Sequence, residues 1–196
     1  MLGRQAKTLS PSAIQRMLAL TRSHTFGERD RVIILLSVRA GLRACEIAGL
    51  TWAMVLDAHG RVSDGIAVHS CIAKKGSGRR VPLHPELRAA LIKLRRASLA
   101  SDLIPSRPII LSARGGPMKA NSIVNWFVAF YRDLGLFGCS SHSGRRTFIT
   151  NAARQAYRAG ASLRDVQLLA GHRSIETTQG YIDGDSRAQH KLVGLI

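Results

Sequence analysis

Leu169-Ala170-Gly171-His172-Arg173-Ser174-Ile175-Glu176-Thr177-Thr178-Gln179-Gly180-Tyr181 is the stretch on which the reading of this chain turns. A glycine-histidine pair is followed, nine residues beyond the histidine, by a tyrosine. Ser162 is placed to cap a short helix through Leu169, and Ser174 another through Tyr181, with Gly171 between them as a helix stop. Just upstream, His142-Ser143-Gly144-Arg145 opens a helix expected from Gly144 to Tyr157, and a further helix is expected from Asn121 to Leu134. His142 and Arg145, three apart, share one helical side if that helix begins early.

Outward from these boxes the pattern stays helical. Ser10-Pro11 supplies a cap and a first helical position, followed by Ile14, Met17, Leu18 and Ala19 at helix-like spacing. Val32, Ile33, Leu35, Leu36 and Val38 give a helix from Arg29 to Ala40 that Gly41 can end. Arg43 to Leu50 reads as a short helix on which Arg43 and Glu46 share the polar side. Between Trp52 and His84 the texture changes to short segments, Met54–Leu56, Ile66–Ala73 and Arg79–Leu83. Lys74-Lys75-Gly76-Ser77-Gly78 marks a hairpin turn. Pro85 then opens a helix from Glu86 to about Leu99, and residues 100–120, rich in proline and glycine, form a surface connection around Ile109-Ile110-Leu111. The fold class expected is α+β: one mostly helical domain carrying a small antiparallel β-sheet.

Composition narrows the partner. Twenty-nine Lys and Arg face 12 Asp and Glu, a net charge of +17, which favours a polyanion. A hydrophobic fraction of 45% is too high for a disordered basic tail and predicts one sizeable core. No apolar run approaches the roughly 18 residues of a membrane span, and Met1 to Ser12 lacks a secretory centre. The expected compartment is therefore the cytoplasm, in association with the nucleoid, with no membrane partner. Cys45, Cys71 and Cys139 are odd in number and scattered, which predicts buried free thiols rather than a disulfide or thiolate metal site. Without HExxH, a phosphate loop or an aspartate cluster, neither a metal nor another cofactor is expected.

The residues that remain suit phosphate chemistry. A phosphodiester under attack gathers negative charge on its non-bridging oxygens, and fixed cationic donors favour that state over the starting ester. Arg43 and Arg145 each offer paired donors in a geometry lysine does not reproduce. His142 can ligate phosphate or help deprotonate an attacking phenol, and His172 can add a hydrogen bond. An unassisted phenol, with a pKa near ~10, is a weak nucleophile, so Tyr181 needs such neighbours. Tyr131 and Tyr157 read as packing residues. Lys74, at the hairpin tip, can protonate a departing 5′ oxygen, with Lys75 as an adjacent rival; Lys75, Arg79 and Arg80 are candidate DNA-backbone contacts without base specificity.

Taken in order, these boxes resemble the catalytic domain of the tyrosine recombinase, or phage integrase, family. Ala40 to Leu50 is similar to the family's first arginine box, which implies a catalytic role for Arg43 and a supporting one for Glu46. Aligned through Pro82-Leu83, the hairpin lysine falls on Lys74, with Lys75 adjacent. The histidine-arginine box falls on His142 and Arg145, and the final segment on His172 and Tyr181. The resemblance runs from about Leu9 to Asp183. It implies strand cleavage and rejoining through a 3′-phosphotyrosyl intermediate on double-stranded DNA, performed by a homo-tetramer on paired sites. Members commonly carry a separate DNA-clamping domain before the catalytic one. The short lead-in here fits a catalytic fragment, a minimal enzyme, or one dependent on an accessory DNA-binding protein. Residues 1–186 are thus expected to form the catalytic domain, and 187–196 a tail that either folds over its own core or, as the resemblance implies, couples protomers. A topoisomerase-like relaxation enzyme and a non-catalytic DNA-binding regulator or architectural protein remain the alternatives.

Overall fold

In the computed structural model, residues 6–73, 76, 78–181 and 193–194 are described. The centre of the molecule is α2 (Gly27–Ala40), where Val32, Ile33, Ile34, Leu35 and Leu36 are all fully buried in an unbroken row. A helix apolar on every side must be surrounded. Its neighbours are α1 (Pro11–Leu20), α3 (Ala44–Gly49), α4 (Pro85–Ala97) and α6 (Ser143–Gln155). The Ser10 side chain accepts the Ala13 N–H at the start of α1, the cap expected of Ser-Pro. Gly41 ends α2 in the left-handed region at φ 63°, and an added Cβ there would strike the Phe148 ring, so backbone conformation and crowding both select glycine.

The sheet is smaller than expected. Among the described residues the sheet is two strands, β1 (Gly65–Val68) and β2 (Arg79–Pro82), paired antiparallel with Val68 opposite Arg79 and Gly65 opposite Pro82. Met54–Leu56 is no strand. Trp52–Met54 is a 3₁₀ turn, and Leu56 makes a single bridge to Val62, because Trp52, Met54 and Val55 turn inward together to fill the core. The connection between α4 and α5 (Ala120–Asp133) is likewise more than a surface loop. Ile109 and Ile110 are buried, the Ile109 N–H donates to Leu50 O, and the Trp52 N–H donates to Arg107 O. The segment is stitched to the end of α3 by its backbone.

A second, much smaller hydrophobic cluster joins α6 and α7 (Leu163–Ala170) through Ile149, Ala156, Val166 and Ala170, with Tyr181, just beyond α8 (Ile175–Gln179), packed on it. The Ser162–Asp165 capping box starts α7, and Gly171 ends it at φ 64°. Two sequence expectations fail here and at the periphery. Tyr157 is 94% exposed at the end of α6 and packs nothing, whereas Tyr131 is buried as expected. Cys45 and Cys71 are exposed, because the short α3 turns Ile47 inward and leaves Cys45 on its outer side, and Cys71 rides the turn after β1. Among the described residues, no helix is long and apolar enough to cross a membrane.

Candidate active site

The site forms where the large core meets the small one, and buried ionic groups hold the junction. Glu46 lies at the start of α3 with no exposed side-chain surface, and a carboxylate there needs every acceptor position satisfied. Arg43 supplies its backbone N–H at 2.9 Å and one guanidinium nitrogen at 3.1 Å. Arg79, reaching in from β2, grips both carboxylate oxygens at 2.8 and 3.0 Å. Burial pushes the Glu46 carboxyl up, but the hydrogen bonds and charges of Arg79 and Arg43 together outweigh it and hold the group below its ordinary value.

Arg79 was expected on the DNA backbone, and the structure corrects this. Its side chain is only 6% exposed, and its Nε–H donates to Leu169 O at 2.8 Å. The cause is the alternation of the strand: Arg79 points toward α7, while Arg80, the next residue, points outward and pairs with Asp64 at 3.0 Å on the surface. Arg80 keeps the exposed position that a backbone contact requires.

Arg145, in the first turn of α6, is 3% exposed and joins the two regions directly. It donates to Gly41 O at 2.6 Å on the large side, and to Ala170 O at 2.6 Å and His172 Nε2 at 2.9 Å on the small side. Gly144 makes this seat possible, because a Cβ at that position would collide with Ser37 on α2 and hold α6 off. Burial, then repulsion from Arg43, lowers the Arg145 pKa to about 10, so the guanidinium stays charged at neutral pH. Three guanidiniums therefore surround one carboxylate, leaving an excess of positive charge in a dry pocket where it acts strongly.

His172 follows Gly171 and completes the cluster. Its Nδ1 lies 3.0 Å from the hydroxyl of buried Thr178 on α8. Burial first, and then the charges of Arg145, Arg43 and Arg79, lower its pKa to about 4, so the ring is neutral at physiological pH. Tyr181 stacks on this imidazole with ring centroids 5.4 Å apart and planes 27° from parallel. The Arg146 guanidinium stands 5.9 Å from the centre of the tyrosine ring. Thr150 Oγ1 donates to the Tyr181 carbonyl at 3.2 Å, fixing the backbone at the end of α8. Tyr181 and Arg146 line an open pocket of about 400 Å³ together with Ser140, His142 and Glu176.

Arg43, Glu46, His142, Arg145, His172 and Tyr181 are thus brought to one place. Lys74 and Lys75 lie outside the described residues, as does the tail from 187 except Val193 and Gly194. Sequence reasoning missed the inward role of Arg79 and the presence of Arg146 and Thr178 at the site. Arg146 left one usable trace, its adjacency to Arg145 in the first turn of a helix. Thr178 left none beyond its position in the quoted stretch.

A cluster of buried guanidiniums with a tyrosine at its mouth, on a helical body carrying the β1–β2 pair, is the arrangement to set beside known proteins. The family model described as "Phage integrase family" matches residues 7–187, and the chain belongs to that family, the tyrosine recombinases. Among its relatives, the tyrosine recombinase XerC of Brucella suis biovar 1 is 34% identical over 161 residues, covering 81% of this chain and 47% of that protein. XerD of Pseudomonas aeruginosa is 31% identical over 183 residues, 89% of this chain and 56% of that one. The chain spans about half the length of the curated relatives it matches. Of solved structures, the Tn1549 transposon integrase in complex with a circular intermediate DNA superposes with a TM-score of 0.76 at 18% identity, over 100% of this chain and 67% of that one. XerA recombinase gives 0.72 at 22% identity, over 96% and 64%. At these identities the likeness concerns the fold.

Proposed function

We propose that this chain is the catalytic part of a site-specific DNA recombinase that cuts and rejoins strands through a 3′-phosphotyrosyl intermediate. The observation that carries the reading is the stacking of Tyr181 on His172, itself hydrogen-bonded to the buried Arg145 beside Arg43. The phenol oxygen of Tyr181 bonds to phosphorus as the bond to the 5′ oxygen breaks. The phenolic proton passes to a base at the pocket mouth, where His142 stands, and the departing oxygen takes a proton from Lys74. Arg43, Arg145 and His172 hold the phosphate oxygens as charge builds on them. The ester conserves the phosphate bond, so a free 5′ hydroxyl from a partner strand can attack it and release the tyrosine.

Glu46 orients Arg43. Arg80, and Lys75 on the hairpin, contact the DNA backbone. Double-stranded DNA is the substrate, and a homo-tetramer on paired sites is the working assembly. XerH, whose fold this chain shares with a TM-score of 0.71, has been solved bound to its difH substrate in a pre-cleavage complex, which supports a duplex as the ligand. Residues 1–186 form the catalytic unit, and 187–196 couple one protomer to the next.

The test is a nicked suicide substrate, from which the cleaved end diffuses away and strands the enzyme on DNA. The chain forms a denaturation-resistant adduct, and Tyr181→Phe binds the same DNA without forming one. An adduct of undiminished yield with Tyr181→Phe removes the nucleophile assignment. Relaxation of supercoiled DNA by the monomer, without exchange between two sites, identifies a topoisomerase-like enzyme instead.

A further inference from the structure

The hydrogen bonds around His172 define its tautomer. Arg145 has no acceptor, so the 2.9 Å contact between Arg145 Nη2 and His172 Nε2 makes Nε2 the acceptor. In a neutral imidazole the proton then sits on Nδ1, which donates to Thr178 Oγ1 at 3.0 Å. The imidazole thus presents no N–H from Nε2, the nitrogen facing Arg145. Arg145 is equally committed, to Gly41 O, Ala170 O and this ring. As it stands, the Nη2–Nε2 contact is latched on itself, and neither of these two nitrogens has a hydrogen aimed at an anion.

We propose that Thr178 is a positioning residue that lets His172 exchange tautomers, so that phosphate binding converts the Arg145–His172 latch into two donors aimed at the same phosphate. This rests on the phosphotransfer reading above and adds what that reading leaves open, namely how His172 becomes a donor. An anionic oxygen is a better acceptor for Arg145 than a neutral imidazole and draws Nη2 away. Nε2, released, takes up a proton from solvent while Nδ1 gives one up, so the ring stays neutral. The Thr178 hydroxyl then turns about its C–O bond from acceptor to donor and holds Nδ1. Only a group able to both give and take a hydrogen bond can serve the two states. A hydroxyl meets that need, and Thr178 Oγ1 is buried with no exposed side-chain surface to offer water as a substitute. The stacking of Tyr181 on the same ring couples the exchange to the nucleophile's position.

Nitrogen-resolved NMR of the His172 ring, read free and with orthovanadate as the phosphate mimic, tests this without any DNA. The free protein shows a protonated Nδ1 and a bare Nε2, and vanadate reverses the two. Thr178→Val keeps the shape of the side chain, loses the reversal, and slows single-turnover adduct formation about tenfold, the size of one neutral hydrogen bond. Thr178→Ser restores both. A free protein already protonated at Nε2, or a reversal that persists in Thr178→Val, overturns the proposal, as does a Ser variant no better than Val in a fold of unchanged thermal midpoint. If vanadate reverses the ring but no adduct ever forms, the functional reading fails while the latch stands.

Discussion

The two packed regions of this molecule differ in what they hold and in how firmly they hold it. The large core runs from Leu9 to Tyr131 around a helix buried on every side, and it carries Arg43 and Glu46. The small cluster rests on Ile149, Ala156, Val166 and Ala170, and it carries His172 and Tyr181. Four buried aliphatic side chains remove little apolar surface from water, so α7 and α8 gain little from burial alone. Their placement depends instead on Arg145 and Arg79, whose guanidiniums reach the carbonyls of Ala170 and Leu169. The cations proposed to bind phosphate are anchored on the heavily packed part of the fold, while the proposed nucleophile rides on a thin part held in place by Arg145 and Arg79. The proposed reaction, in which the tyrosine meets phosphate, retains it and releases it, is well served by that division.

The strongest way to break the comparison is to remove the joint. Arg145→Ala takes the proposed phosphate donor from the pocket and removes the guanidinium bonds to the Gly41 and Ala170 carbonyls. Cleavage should fall about 10²–10³-fold, as on loss of a strong oxyanion donor. Amide exchange should speed up in 163–179 more than in α2, and equal protection in both would show that the small unit stands without its bolt. Arg43→Ala should cost a similar factor in cleavage with a smaller change in exchange, because Arg79 still holds Glu46.

Arg79→Ala tests the structural half alone. It leaves the buried Glu46 with one partner and frees Leu169 O. Chemical denaturation should report a loss of about 3 kcal/mol, the scale of a broken buried pair. A change near zero would mean that Arg79 is a surface group after all.

A gentler probe is pH. His172 has an ordinary pKa of 6.5 and a folded value of about 4. As pH falls below 6.5 the unfolded chain takes up this proton first, so the stability present above 6.5 declines until pH reaches about 4. His172→Gln should flatten the fall of the melting temperature across that window, and an unchanged slope would contradict the neutral ring. The smallest effect belongs to Arg80→Ala: under about 1 kcal/mol in stability, given its exposed pairing with Asp64, but a loss of about one unit in the salt slope of DNA binding.

Much of this arrangement was legible in the residues. The Arg43–Glu46 spacing announced a pair, although Arg43 proves to be the extended N-cap of α3 and Glu46 its capping-box partner rather than a neighbour on one helical face; Ser10-Pro11 and Ser162 announced helix starts, and the ordered boxes pointed to Arg145, His172 and Tyr181. What stayed hidden depends on which side of an element is covered. Alternation along β2 sends one of Arg79 and Arg80 inward, but only the docking of α7 on the hairpin decides which. Cys45 on α3 and Tyr157 beyond α6 illustrate the same limit, since an apolar residue's side of a short helix follows from its neighbours in space. Met54–Leu56 read as a strand because local alternation cannot distinguish pairing with another strand from folding into a core.

The central claim is that the Tyr181 oxygen becomes joined to the DNA backbone within the arginine cage. Mass spectrometric mapping of the trapped adduct, with end-labelling of the released strand, tests it most directly. The account predicts a nucleotide on the Tyr181 peptide linked through its 3′ phosphate, and a released strand with a free 5′ hydroxyl. A nucleotide on Tyr131 or Tyr157, or attachment through a 5′ phosphate, would contradict it.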